Sequence, residues 1–122
     1  MLDAVSESKA PAGSQPTRSL AQTRRVAAID IGTNSTHLLV ASVDTTLGTF
    51  SIEQAEKSTT RLGERDPDSG ELTSEGMQRG YETLRRFRDL AISHDVEQIV
   101  TAATSAVREA PNGREFLQSI QD

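Results

Sequence analysis

The sequence predicts an α/β fold built on a mixed sheet with helices, and three features predict it. Two apolar, β-branched runs, Val26 to Ile31 and Leu38 to Val43, flank a short polar bend. An apolar stripe at helical spacing follows, through Met77, Tyr81, Leu84, Phe87 or Arg88, and Ala91. A further apolar run, Val96 to Ala102, comes after that helix, so the chain must cross back over the sheet and lay it down parallel to the first strand.

The elements follow in order. Residues 1–24 mix Ser, Ala, Gln, Thr and Pro with no lasting period, and Pro11 and Pro16 sit among them, so this stretch is expected to be a disordered tail ahead of a folded portion, 25–122. Val26 to Ile31 reads as a largely buried strand, and Leu38 to Val43 is close enough behind it to form a hairpin. After Gly48, Thr49 to Thr59 has the mixed character of a third antiparallel strand, with Phe50 and Ile52 on one face. Arg65 to Glu71 contains Asp-Pro and Ser-Gly and reads as a loop. Thr73 is a plausible N-cap with Glu75 in the first turn of the helix, and Gly76 and Gly80 are expected to weaken that helix by about 1 kcal/mol each. Val96 to Ala102 is the central strand, and Thr104 or Ser105 begins a short helical turn after it. Asn112, with Glu115 three positions on, has the spacing of a capping box and opens a last helix carrying Phe116, Leu117 and Ile120.

The order β-β-β-α-β-α is the opening half of a ribonuclease-H-like layered domain. Such a sheet receives a further strand after its last helix, whereas this sequence ends at Asp122. The domain is therefore expected to be incomplete, with the apolar face of the last helix poorly covered.

Composition narrows the function. At 122 residues, less the expected tail, one modest core is available. Thirteen Lys and Arg against eighteen Asp and Glu give a net charge of −5, which argues against nonspecific nucleic-acid binding and makes any anion selectivity local. With no cysteine, disulfides, thiolate zinc sites and cysteine nucleophiles are excluded, and two histidines cannot build a histidine-rich metal cluster. No apolar stretch approaches the roughly 20 residues that span a bilayer, and the N-terminus lacks a hydrophobic signal core, so no membrane association and a cytoplasmic location are the default expectation.

The chemistry concentrates in the bend between the first two strands. Asp30 interrupts an apolar run, and a carboxylate there is costly to desolvate unless a cation or several donors meet it. A hydrated Mg²⁺ suits it, since that ion prefers one or two carboxylates plus phosphate oxygens to an all-protein cage. Gly32 allows close backbone approach or a positive φ, and Thr33, Asn34 and Ser35 add hydroxyl and amide donors to the N–H groups of the turn. Residue chemistry alone leaves a plain reading open beside this one: an ordinary hairpin turn in which Asp30 accepts bonds from Thr33 or Asn34. His37 reads as a polar face residue rather than a general base, and Ser105 has no nearby His–Asp pair to activate it.

Three separated blocks carry a resemblance. They are Asp30-Ile-Gly-Thr-Asn-Ser35 with Leu38-Leu-Val-Ala41; Lys57-Ser-Thr-Thr-Arg-Leu-Gly-Glu64 followed by Gly70-Glu-Leu-Thr-Ser-Glu75; and Ala102-Ala-Thr-Ser-Ala-Val-Arg-Glu-Ala-Pro-Asn-Gly-Arg-Glu-Phe-Leu117. In this order they resemble the exopolyphosphatase and guanosine pentaphosphate phosphohydrolase (Ppx/GppA) family, a branch of the actin-like ATPase superfamily, over about residues 25–121. The resemblance implies that Gly32, Thr33, Asn34 and Ser35 contact phosphate and that Asp30 lies near a Mg²⁺. It also implies that Arg61 and Arg108, which residue chemistry alone leaves open as plain surface arginines, face a cleft between two lobes. The Thr104–Ser105 turn beside Arg108, at a strand end where ligands gather, favours phosphate binding there, with backbone satisfaction as the plain reading of Thr104. The family's general base is a glutamate beyond the segment matching Phe116 to Gln121, and a second lobe supplies another phosphate loop. The implied activity is hydrolysis of terminal phosphoanhydrides of polyphosphate or guanosine pentaphosphate, completed by a missing C-terminal lobe or a homodimer partner. The rival expectation is a phosphate-binding or assembly module without catalysis. Sugar kinase activity is disfavoured by the second and third blocks.

Overall fold

The structure is a computed structural model that describes residues 2–9 as a backbone strand and residues 23–121 in full. Five strands form one sheet: β1 (Leu2–Lys9), β2 (Thr23–Ile31), β3 (Ser35–Asp44), β4 (Thr49–Thr59) and β5 (Gln98–Thr104). Three helices complete it: α1 (Ser74–Ser93), α2 (Ser105–Arg108) and α3 (Gly113–Gln121). The strand order is β1-β5-β2-β3-β4. β2, β3 and β4 form an antiparallel meander, and β5 returns beside β2 in parallel after the α1 crossover. The mixed sheet and the parallel pairing of β5 with β2 follow the sequence expectation, with β2 rather than β5 at the centre of the sheet.

The stretch expected as a tail is where the structure differs. Leu2–Lys9 pairs antiparallel with β5, from Leu2 opposite Thr104 to Lys9 opposite Gln98, with a bulge between Ala4 and Ser6. Residues 10–22 lie outside the described residues, and Thr23 and Arg24 already belong to β2. Without β1, the outer side of β5 would present a row of unpaired backbone groups. Ladder pairing needs only N–H and C=O groups, so an apolar pattern is a poor guide to it.

One face of the sheet carries the core. Alternate residues Ala27, Ile29 and Ile31 of β2, Leu38 and Val40 of β3, and Ile99 and Ala103 of β5 are buried together with Leu84, Phe87 and Ala91 of α1 and Phe116 and Leu117 of α3. The period-2 burial on strands and the 3.6-residue stripe on α1 meet in this layer. Phe87, fully buried, is the stripe residue at the position where the sequence left Arg88 as an alternative, and Arg88 is exposed. The expectation of a poorly covered α3 does not hold. Phe116 and Leu117 are buried, and the Tyr81 and Phe116 rings pack with centroids 5.1 Å apart.

Caps and glycines show how the helices are placed. Thr73 caps α1 as expected, its hydroxyl accepting from the Gly76 N–H at 3.0 Å. Gly80 is a point of close approach: a Cβ there would lie 2.9 Å from the Phe116 ring. Asn112 sits just ahead of α3, yet its side chain does not cap that helix. Its amide instead mimics a strand neighbour for Leu72, accepting from the Leu72 N–H at 2.8 Å and donating to the Leu72 carbonyl at 3.2 Å. The capping-box reading is corrected because this long-range pair satisfies two backbone groups beside a buried leucine. In the 65–71 loop, the Asp66 carboxylate accepts from the N–H groups of Asp68 and Ser69, each at 2.9 Å. Those bonds, Ser69 first, hold its carboxyl below the ordinary aspartate value.

Candidate functional site

β2 and β5 run in parallel with Asp30 opposite Ala102 and Ile31 opposite Ala103, so the turns that follow both strands open at the same edge of the sheet. Crevices beyond the carboxyl ends of parallel strands are where α/β sheets gather ligands. The two turns touch: Thr33 Oγ1 and Thr104 Oγ1 are 3.4 Å apart. A third segment, the turn around Arg61, is bonded onto the first. The Arg61 N–H donates to the Asn34 carbonyl at 3.0 Å and the Gly63 N–H to the Thr33 carbonyl at 2.7 Å. Beneath them the hydroxyls of Thr36 and Thr60, both fully buried, share a 2.9 Å hydrogen bond.

The bend itself is tight. The Gly32 N–H donates to the Ser35 carbonyl at 3.0 Å, and a Cβ at Gly32 would lie 2.6 Å from that same oxygen. The glycine is thus required for closeness; of the two options its sequence left open, positive φ is not the one used. Thr33 and Asn34 are exposed and Ser35 is half-buried at the start of β3.

Asp30 precedes this bend on the sheet face away from the helices, alternating with buried Ile29 and Ile31. Its Oδ1 is buried with no hydrogen-bond partner among the described residues, so it does not make the local bonds of the plain-turn reading. A buried carboxylate oxygen without a donor is costly, and such exceptions call for an explanation. The described residues contain no group of three or more His, Asp or Glu arranged to hold a metal ion, so any cation here would rely on Asp30 and solvent or ligand oxygens.

Arg61 is exposed and has φ of 51°, a backbone conformation uncommon for a residue with a side chain. Thr104 precedes α2 without capping it through its side chain, which leaves its hydroxyl beside Thr33. Ser105 is exposed at the first position of α2. Arg108 ends that single turn, half-buried with its Nε fully shielded, and lines an open cavity of about 730 Å³ between α2 and α3 together with Arg114 and Gln118.

Several residues that sequence reasoning did not place in the site help to build this edge. His37 lies directly opposite Asp30 in the β2–β3 ladder and opposite Lys57 on β4. Arg65 donates to the Ala106 carbonyl, tying the Arg61 segment to α2. Gly63 lets the Arg61 turn approach the bend, since a Cβ there would lie 2.1 Å from Thr33 Cγ2. Only the Arg-Leu-Gly string hinted at Gly63, because the reason for the glycine lies thirty residues away in the bend.

The model of the Ppx/GppA phosphatase family matches residues 39–122. Exopolyphosphatase 1 of Mycobacterium tuberculosis is 35% identical over 98 residues, covering 80% of this chain and 28% of that protein. Exopolyphosphatase 2 of the same organism is 34% identical over 100 residues, covering 80% of this chain and 31% of its own length. Among solved structures, a Ppx/GppA family member of Aquifex aeolicus superposes with a TM-score of 0.75 at 31% identity, over 81% of this chain and 32% of that one. An exopolyphosphatase of Cytophaga hutchinsonii superposes with a TM-score of 0.72 at 33% identity, over 80% and 31%. The chain spans about 28% to 32% of the length of these proteins. No helix among the described residues is long and apolar enough to cross a membrane.

Proposed function

The chain belongs to the Ppx/GppA phosphatase family, and on that premise we propose that it supplies the phosphate-binding edge of a phosphohydrolase acting on terminal phosphoanhydrides of polyphosphate or guanosine pentaphosphate. The observation that carries this reading is the convergence of three turns beyond the end of β2, the strand in which one carboxylate oxygen of Asp30 is buried without a partner. Gly32, Thr33, Asn34 and Ser35, with Thr104 and Ser105, offer hydroxyl, amide and backbone donors to phosphoryl oxygens. Arg61, on the turn bonded to the bend, offsets charge that develops on those oxygens as the bond to the leaving phosphate breaks. Arg108, which lines the cavity between α2 and α3, serves the same charge from the α2 side next to the Thr104–Ser105 turn. The β-meander followed by a parallel strand supports assigning the sheet to the ribonuclease-H-like, actin-like ATPase class. Completion of the cleft by a second lobe or a homodimer partner belongs to the same proposal, supported by the greater length of the relatives.

The residues present fit a hydrated Mg²⁺, because one carboxylate with a buried, partnerless oxygen just ahead of a polar turn is the protein share that ion takes. Asp30 would hold it, and when bound it would supply charge stabilisation at the phosphoryl oxygens. The turns orient the phosphate chain, and their buried base, through Thr36 and Thr60, keeps water from beneath the bend.

A narrower reading, a phosphate-binding module without turnover, is favoured by one observation: the site joins many donors to a single partnerless carboxylate, with no cluster of three acids or histidines among the described residues. The two are separated by incubating the purified chain with Mg²⁺ and tripolyphosphate and following both binding and phosphate release, for the parent and for Asp30→Asn. Phosphate release abolished by Asp30→Asn supports a hydrolase. Saturable binding without release shows that this chain by itself acts only as the module, with turnover left to the completing lobe. Equal behaviour of parent and variant in both assays refutes the role of Asp30.

A further inference from the structure

Arg61 is presented by a turn whose conformation is uncommon, and α1 holds that turn from behind. Arg79 of α1 donates through Nε to the Thr60 carbonyl at 2.9 Å and through Nη2 to Glu64 Oε2 at 3.5 Å. One planar fork thus grips the residue before Arg61 and the residue that closes the turn, whose own N–H donates to the Arg61 carbonyl at 3.2 Å. Gly76, one helical turn back, lies beside the fork: a Cβ there would be in ordinary contact with Arg79 Nη2 at 3.6 Å and with the Arg61 carbonyl at 3.7 Å, and too close only to the capping Thr73 hydroxyl at 2.9 Å. Leu62, 1% exposed, anchors the middle of the turn in the core. The front of the turn is held to the bend by the Arg61 and Gly63 amides, and its rear by Arg79.

We propose that Arg79 is a positioning residue that holds the 60–64 turn, and with it the left-handed backbone of Arg61, in register with the bend after β2, so that the Arg61 guanidinium meets the phosphate chain. This rests on the reading of Arg61 as a phosphate ligand. The two-point grip needs a planar fork: a lysine ammonium supplies the same charge from a single point. Arg79 therefore acts through geometry and not only through its positive charge.

The test uses the purified 122-residue chain with sodium tripolyphosphate as probe. Affinity is measured by calorimetry, and amide exchange at Arg61 and Gly63 by nuclear magnetic resonance, for the parent, Arg79→Ala, Arg79→Lys, Arg61→Ala and the Arg61→Ala, Arg79→Ala double variant. The expected result is faster exchange at the Arg61 and Gly63 amides in Arg79→Ala, with the Ile29 amide in the core unchanged. Tripolyphosphate affinity falls by about tenfold, the scale of a charge-assisted contact, and only where Arg61 is present. Arg79→Lys recovers part of each effect, and it carries both measurements should Arg79→Ala fail to fold. Unchanged exchange overturns the proposal, as does an equal affinity loss with Arg61 absent or full recovery with lysine, both of which mark a pure charge effect. If Arg61→Ala itself leaves affinity unchanged, the phosphate-ligand reading of Arg61 fails, and Arg79 is then judged by amide exchange alone.

Discussion

Gly63→Ala is the most direct probe of how the site is assembled. The added Cβ would lie 2.1 Å from Thr33 Cγ2, 3.1 Å from the Thr33 carbonyl oxygen and 3.3 Å from Thr33 Cβ. Carbon atoms rest at about 3.5 to 4.0 Å, so the Arg61 turn and the bend must separate by roughly 1.5 Å, or Thr33 must rotate away. Separation stretches the 2.7 Å bond from the Gly63 N–H to the Thr33 carbonyl; rotation moves the Thr33 hydroxyl off Thr104. Overpacking of this kind costs about 1 to 3 kcal/mol, and weakening the hydrogen bond adds about 0.5 to 1.5 kcal/mol. Gly63 has no positive φ, so alanine is compatible with its backbone and returns about 0.4 to 1 kcal/mol through the unfolded chain. The net expectation is a loss of about 1 to 3 kcal/mol, read by urea denaturation. Thr33→Ser removes Cγ2, the atom in worst contact, and should restore about half of the loss when combined with Gly63→Ala. A Gly63→Ala chain as stable as the parent, or a double variant with no recovery, would refute the packing argument.

Three further outcomes are expected. Asn112→Ala leaves the Leu72 N–H and carbonyl unpaired beside the core and should cost about 1 to 3 kcal/mol in the same denaturation assay, while Asn112→Asp, which keeps only the acceptor, falls between. Asp30→Asn relieves a partnerless carboxylate oxygen, so its melting temperature should equal or exceed the parent's even as Mg²⁺-dependent tripolyphosphate binding falls; a clear drop in melting temperature would show that Asp30 is structural. Asp66 binds its proton less readily folded than unfolded, so its contribution is present above the ordinary aspartate pKa and is lost as pH falls through its lowered value. Asp66→Asn should therefore flatten the acid limb of the stability profile slightly, since the group is exposed, and an unaltered limb would count against those bonds.

Local chemistry made much of this protein legible. The β2–β3 hairpin and α1 with its Thr73 cap follow from period-2 and 3.6-residue patterns that each segment carries within itself, and β4 from its strand-type residues, although its Phe50 and Ile52 are exposed. Asp30, Gly32 and the polar residues after them stood out because a carboxylate and a glycine interrupt an apolar run. Long-range contacts escaped this reading. Asn112 looked like a cap because capping is local, whereas its partner Leu72 lies 40 residues away. Gly80 looked like a weak point of a helix because propensity is local, whereas Phe116 fills the space it leaves.

By itself the sequence determined the kinds of element from β2 onward and the parallel return of β5, since these depend on side-chain type and spacing along the chain. The tertiary structure alone decided that β1 covers β5, that Gly63 admits the Arg61 turn to the bend, and that Arg79 grips that turn from α1. Each of these is a contact between segments distant in sequence. Backbone ladders, excluded volume and a planar guanidinium act through distance and direction in space, which no spacing along a chain encodes.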